Sequence, residues 1–174
     1  FGSGNSDVWL VKSNSHGEEE WNQSYGGIGA EKGKCVQLTT DGGYIIVGSV
    51  HSEGYWNMWL VKTNSLGTEE WSQTFGGALN DFGEFVQQTS DGGFVIVGSL
   101  WENSGSDIWL IKTNSEGIEE WSQTFGGTFQ EKGFSVQQTD DGGFIIAGED
   151  RSIGSGNGDV WLIKTNSSGV EEWN

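Results

Sequence analysis

The tripeptide Asp-Gly-Gly occurs at residues 41–43, 91–93 and 141–143, 50 residues apart each time. No other feature limits the fold so sharply. In its third copy it sits in the run Thr139-Asp140-Asp141-Gly142-Gly143-Phe144-Ile145-Ile146-Ala147-Gly148. Asp-Gly between two strand-like runs predicts a two-residue type I′ turn, whose central residues both need positive φ. The Phe-Ile-Ile-Ala that follows is apolar on successive residues, so both faces of that strand are predicted to be covered.

Four strand signals recur within each period. Position A is Val-Gln-Gln-Thr or its variant (Val36–Thr39, Val86–Thr89, Val136–Thr139), and position B is the apolar strand after Asp-Gly-Gly. Position C is Asp-x-Trp-Leu-x-Lys, at residues 7–12, 57–62, 107–112 and 159–164, with Asn57 in place of Asp in the second copy. Position D is Glu-Glu-Trp, reached through Asn-Ser-x-Gly, whose length and terminal Gly suit a type I turn closed by a left-handed residue. In an antiparallel A-B-C-D meander the two apolar strands lie in the centre and the two polar ones at the edges. With Asn64–Gly67 as the loop, Lys62 faces Glu69. The same register pairs Lys12 with Glu19, Lys112 with Glu119 and Lys164 with Glu171, as exposed ion pairs.

Four strands per period of about 50 residues is the sequence mark of a β-propeller blade. The Asp-Gly-Gly-Tyr/Phe-Ile-Ile-x-Gly and Asp-x-Trp-Leu-Ile-Lys phrases resemble the blades of predicted archaeal and bacterial surface propellers, over nearly the whole chain. The repeats depart from WD-repeat propellers in having no Trp-Asp at the end of position C, and from kelch propellers in lacking their double-Gly context. The Phe-Gly-Gly tripeptides resemble integrin-type blades, without the Asp-x-Asp-x-Asp-Gly calcium loop. The resemblance implies an all-β propeller of four-stranded antiparallel blades on or outside a cell. An open β-solenoid of the same hairpins is the alternative. Residues 1–27 would form a half blade of positions C and D, with blades at 28–77, 78–127 and 128–174. Four C-D hairpins against three A-B hairpins suggest a piece of a longer chain, or self-association that completes a ring.

Eight basic residues against 25 acidic ones give a net charge of −17. That field repels nucleic acids and anionic membrane surfaces, and no apolar run of membrane-spanning length is present for membrane insertion. The single cysteine, Cys35, is replaced by Phe85 and Ser135 one and two periods later, which reads as a core filler.

The A-B and C-D turns fall at one end of the meander and hardly vary. The B-C and D-A connections fall at the other end and do. The B-C connections are read as loops at residues 49–56, 99–106 and 149–158. Variation confined to one face fits a binding face or unconstrained drift. Candidate ligand-binding residues are His51, Tyr55, Trp56, Trp101, Glu102 and Arg151. Tyr55, Trp56 and Trp101 lead, because exposed aromatics stack on sugars or grip peptide side chains. Trp56 and Trp101 folded back over the sheet ends is the structural alternative.

His16 and His51 are too isolated for a metal site. Asp7, Asp107 and Asp159 offer carboxylates to Ca²⁺, but Asn57 breaks the set, and we read them as Asx caps. Adjacent Glu residues on a strand point to opposite faces, so the Glu-Glu pairs do not form a glycosidase pair. The expectation is a non-enzymatic, cofactor-free interaction module for a protein or glycan ligand. An enzyme whose active site lies outside this segment is the further alternative.

Overall fold

The computed structural model describes residues 5–102, 105–151 and 158–174, and among them it is all-β. A two-stranded half-sheet comes first: β1 (Val8–Ser13) with β2 (Glu19–Tyr25). Sheet 1 is β3 (Ala30–Leu38), β4 (Tyr44–Ser52), β5 (Tyr55–Thr63) and β6 (Glu69–Phe75). Sheet 2 is β7 (Phe82–Gln88), β8 (Phe94–Glu102), β9 (Gly105–Thr113) and β10 (Glu119–Phe125). Sheet 3 is β11 (Lys132–Gln138), β12 (Phe144–Asp150), β13 (Asp159–Thr165) and β14 (Glu171–Trp173). Each four-stranded sheet is an antiparallel meander in chain order, A-B-C-D as expected.

The A-B turn differs from the sequence expectation. Gly42 N–H donates to Thr39 O (2.9 Å) and Thr39 N–H to Gly43 O (2.9 Å). Gly42 has φ 81° while Asp41 keeps a negative φ. This is a three-residue loop, a type I turn closed by a left-handed glycine, rather than type I′. The side chain of Asp41 makes the difference: Oδ1 accepts from Gly43 N–H (2.9 Å) and from the Thr39 hydroxyl. The type I′ turn occurs instead between β4 and β5, where Glu53 (φ 54°) and Gly54 (φ 94°) join paired Ser52 and Tyr55. Residues 49–52 and 55–56 are therefore strand, not loop, as are 99–102 and 105–106.

The C-D loop has the expected turn, with Gly67 at φ 75°, but its register is shifted. Left-handed closure brings a bulge, so Lys62 lies opposite Trp71 and Thr63 opposite Glu69. The partner of Lys62 is consequently Glu70 (2.9 Å), not Glu69. The same correction holds for Lys12 with Glu20, Lys112 with Glu120 and Lys164 with Glu172. Nor are these lysines exposed, apart from Lys12. Lys62 also reaches Asp41 of the A-B turn (2.8 Å), as Lys112 reaches Asp91 (2.9 Å) and Lys164 reaches Asp141 (3.0 Å). One buried ammonium thus ties both turns of each sheet together.

The core lies between sheets. Ile45, Val47, Met58 and Leu60 of sheet 1 pack with Val86, Phe94, Ile96, Trp109 and Ile111 of sheet 2, and the same positions join sheet 2 to sheet 3. The Trp of each of the first three D strands meets the aromatic residue opening the next B strand edge-on: Trp21 with Tyr44, Trp71 with Phe94, and Trp121 with Phe144. Gly83 lets sheets 1 and 2 approach, since a Cβ there would lie 2.6 Å from Val47 Cγ2 and 2.8 Å from Met58 Cγ. Exposure at the two ends shows the direction of stacking. Trp59 is 8% exposed against 66% for Trp9, and Ile108 is 0% exposed against 90% for Val160. C-strand tryptophans face the preceding sheet, and the residues beside them face the following one.

Neighbouring sheets approach most closely at the A strand of the later sheet: β7 lies against β3, β4 and β5, and β11 against β7, β8 and β9. Among the described residues no comparable approach joins a D strand to a neighbouring sheet. The sheets converge at their A strands and splay toward their D strands.

Candidate functional site

The sequence-variable end is built where each D-A connection meets the start of the preceding C strand. Asp81 N–H donates to Trp56 O (2.6 Å), and Glu131 N–H to Ser106 O (2.6 Å). Asp81 is buried. Its Oδ2 accepts from Gly77 N–H (3.1 Å), and its Oδ1 accepts from Trp101 N–H (3.0 Å). One residue therefore joins three elements: its carboxylate ties the D-A loop to strand β8, and its backbone N–H ties the loop to strand β5. Asn80 Oδ1 accepts from Trp56 N–H (2.9 Å) and completes the clamp.

On this frame the candidate residues separate. His51 and Trp56 are direct cross-strand partners with ring centroids 5.3 Å apart, and Lys32 Nζ stands 4.2 Å from the Trp56 ring centroid. These two candidates form one half-buried cluster. Tyr55 points to the other strand face, as alternation requires. It is exposed and lines a cavity of ≈ 390 Å³ with Ser52, Asn57, Thr74 and Gly77. A neighbouring cavity of ≈ 450 Å³ is bounded by Gly76, Leu100 and Glu119. Trp101 is half-buried, with its backbone held by Asp81, and Glu102 is exposed at the tip of β8. Arg151 follows the end of β12, and its Nε donates to Glu149 Oε1 (2.9 Å).

Sequence reasoning missed the buried acids of this end. Glu31, Asp81 and Glu131 recur every 50 residues, two positions before a glycine, and that spacing was available as a signal. Asp7 and Asp107, expected to cap turns, instead face Glu31 and Glu131 beside Gly26 and Gly126. Burial, opposed by the Gly127 N–H, pushes the Glu131 carboxyl above its ordinary range, and Asp150 and Asp107 add to the effect. Burial likewise raises Glu31, Asp81 and Asp107. Among the described residues no group of three or more His, Cys, Asp or Glu is arranged to hold a metal ion.

The acids of the two ends are shifted in opposite directions, raised by burial here and lowered at Asp41, Asp91 and Asp141 of the A-B turns by hydrogen bonds and the neighbouring lysine. A raised folded-state pKa means stability present at low pH and lost as pH rises through the raised value. Glu131→Gln removes that loss and leaves an amide donor facing Asp107 and Asp150. It should stabilise the chain by about 1 kcal/mol at neutral pH, the scale of one unpaired buried polar group. The gain should vanish below pH ~4, where the native carboxyl is protonated in both states. Urea melts at pH 4 and pH 7 check it; an equal or opposite effect at the two pH values contradicts it.

Fold and site together define an all-β protein of antiparallel meander sheets, with one end of near-constant turns and one end of differing connections. No protein-family model matches the chain, and no curated protein is significantly similar to it.

Proposed function

We propose that the chain is a non-catalytic interaction module, arranged as successive blades of a β-propeller on or outside a cell, that binds a protein ligand at its variable end. The convergence of sheets at their A strands supports the radial arrangement over a straight solenoid. One observation carries the functional reading: the constant end is locked by the same Lys-Asp-Glu triad in every four-stranded sheet, while the opposite end presents a different surface at each. Tyr55 and the Lys32–Trp56–His51 cluster supply aromatic contact area, and Glu102 and the other surface acids select basic partners.

A glycan is the second reading. It is favoured by the Tyr55 cavity, where an aromatic ring sits beside the hydrogen-bonding side chains of Ser52, Asn57 and Thr74. Screening the chain on a glycan array and a peptide array separates the two. With the ligand so found, Tyr55→Ala should weaken binding by ~1–3 kcal/mol, as loss of one anchor does. Its melting temperature should hardly change. Unaltered affinity in this variant, with Trp56→Ala equally silent, would remove the assignment.

A further inference from the structure

The two cavities at the variable end share a wall. The one of ≈ 390 Å³ and the one of ≈ 450 Å³ are both lined by Thr74, Gly76 and Gly77. Each combines an aromatic ring with one carboxylate: Tyr55 with Glu53 in the first, Trp109 with Glu119 in the second. No lysine, arginine or histidine lines either of them among the described residues. The shared wall is polar underneath. A Cβ on Gly76 would collide with Asn57 Oδ1 and Asp81 Oδ2, and the Asn57 oxygen has no hydrogen-bond partner among the described residues. Neither cavity is left by an uncovered sheet end. Trp59, on the same strand face as Tyr55 and Asn57, is buried with Val8 and Tyr25, and the second cavity lies between two complete sheets. Glu53 adds a backbone mark. It is the one non-glycine with positive φ among the described residues, at 54°. Asn and Gly take that position of a type I′ turn at lower cost. Strain of this kind gathers at ligand-binding positions, and here it holds a carboxylate against the first cavity.

We infer that the two cavities receive arginine side chains from one basic segment of a separate protein. The inference rests on the variable end being the binding end. A guanidinium meets both requirements of each cavity: its flat face stacks on the ring, and its N–H groups donate to the carboxylate. A lysine ammonium supplies the charge without the planar fork. The net charge of −17 draws a basic partner in at long range, and the cavities add selectivity at short range. The chain's own arginine does not serve. Arg151 is the only one, and it is engaged with Glu149, so a second copy of this chain brings no free guanidinium. A sugar also stacks on Tyr55, but it leaves Glu53 and Glu119 without a counter-charge.

The test is an amide chemical-shift titration of the full chain with the peptide acetyl-Gly-Arg-Gly-Arg-Gly-amide. Saturable shifts should appear at residues 52–57 and 74–78. The same peptide with citrulline for arginine keeps nearly the same shape and loses the charge. It should bind about tenfold more weakly, the scale of two surface ion pairs together. Tyr55→Leu and Glu119→Gln should each weaken the arginine peptide about threefold. Glu53→Asn should weaken it as much while raising the melting temperature, because asparagine suits the turn. Glu116→Gln makes the same charge change at an exposed C-D loop residue and should leave affinity unchanged. Equal affinity for the citrulline peptide, or an equal loss in Glu116→Gln, would overturn the inference in favour of diffuse charge attraction. Occupation of the Tyr55 cavity by an array-selected glycan and not by the arginine peptide would overturn it too, while leaving the variable end as the binding end. Shifts centred on the constant end would overturn both.

Discussion

Phe94→Ala should cost about 3–5 kcal/mol of stability, the range for removing a buried aromatic side chain that its surroundings cannot refill. Phe94 is among the largest fully buried side chains, and it lies in the core shared by sheets 1 and 2. Its ring centroid is 5.8 Å from that of Trp71 at an interplanar angle of 64°. The residue thus serves two interfaces at once: it opens β8 within its own sheet, and it receives the D-strand tryptophan of the sheet before. A double-mutant cycle with Trp71→Ala should return a coupling of ~0.5–1.5 kcal/mol, beyond simple area burial. Urea denaturation of the four proteins gives both numbers. A cost below ~1 kcal/mol, or strict additivity, would mean that the sheets do not depend on this contact.

The second large effect should come from Lys112→Met. The Lys112 ammonium is buried, contacts Asp91 and Glu120 at 2.9 Å each, and donates to Thr113 O (2.8 Å). Breaking a wholly buried ion pair costs ~3–5 kcal/mol, but both acids here reach solvent and can rehydrate. A loss of about 2 kcal/mol at neutral pH is expected. Its pH dependence is diagnostic. Burial works against the charged form of Asp91, but the Thr89 hydroxyl, the Lys112 ammonium and the Gly93 N–H outweigh it and pull the pKa down to about 2. A lowered folded-state pKa means stability present above the unfolded value and lost as pH falls through the folded one. The difference between native chain and variant should therefore hold at pH 5–7 and shrink between pH ~4 and ~2. Lys12→Met, at a half-exposed lysine with one ion-pair partner among the described residues, should cost less. Equal costs at the two positions would show the A-B-turn Asp to be irrelevant.

The period of 50 made strand order, hairpin positions and the central placement of the apolar strands legible, because each is repeated three or four times in one chain. What was illegible is the detail that one side chain decides. Asp41 can take either of two tight turns, and Thr39 and Gly43, both bonded to its carboxylate, select the three-residue form. Counting outward from the C-D loop put Lys62 opposite Glu69, because a bulge adds a residue without leaving a mark in composition. At the variable end, aromatic residues were found by their irregularity. Asp81 escaped notice because it alternates with glutamate in the neighbouring periods, and because a carboxylate in a loop reads as solvated. Its burial depends on sheet packing, which a single repeat does not encode.

The central claim is a division of labour: one end carries the Lys-Asp-Glu triads that lock each four-stranded sheet, and the other recognises a ligand. Its most direct test is amide chemical-shift mapping on the isotope-labelled chain, titrated with the ligand selected on the arrays. Perturbations should gather at residues 51–56, 76–81 and 101–102, with the turns at 39–43 and 64–67 unchanged. Shifts centred on those turns instead would place recognition at the constant end and contradict the account.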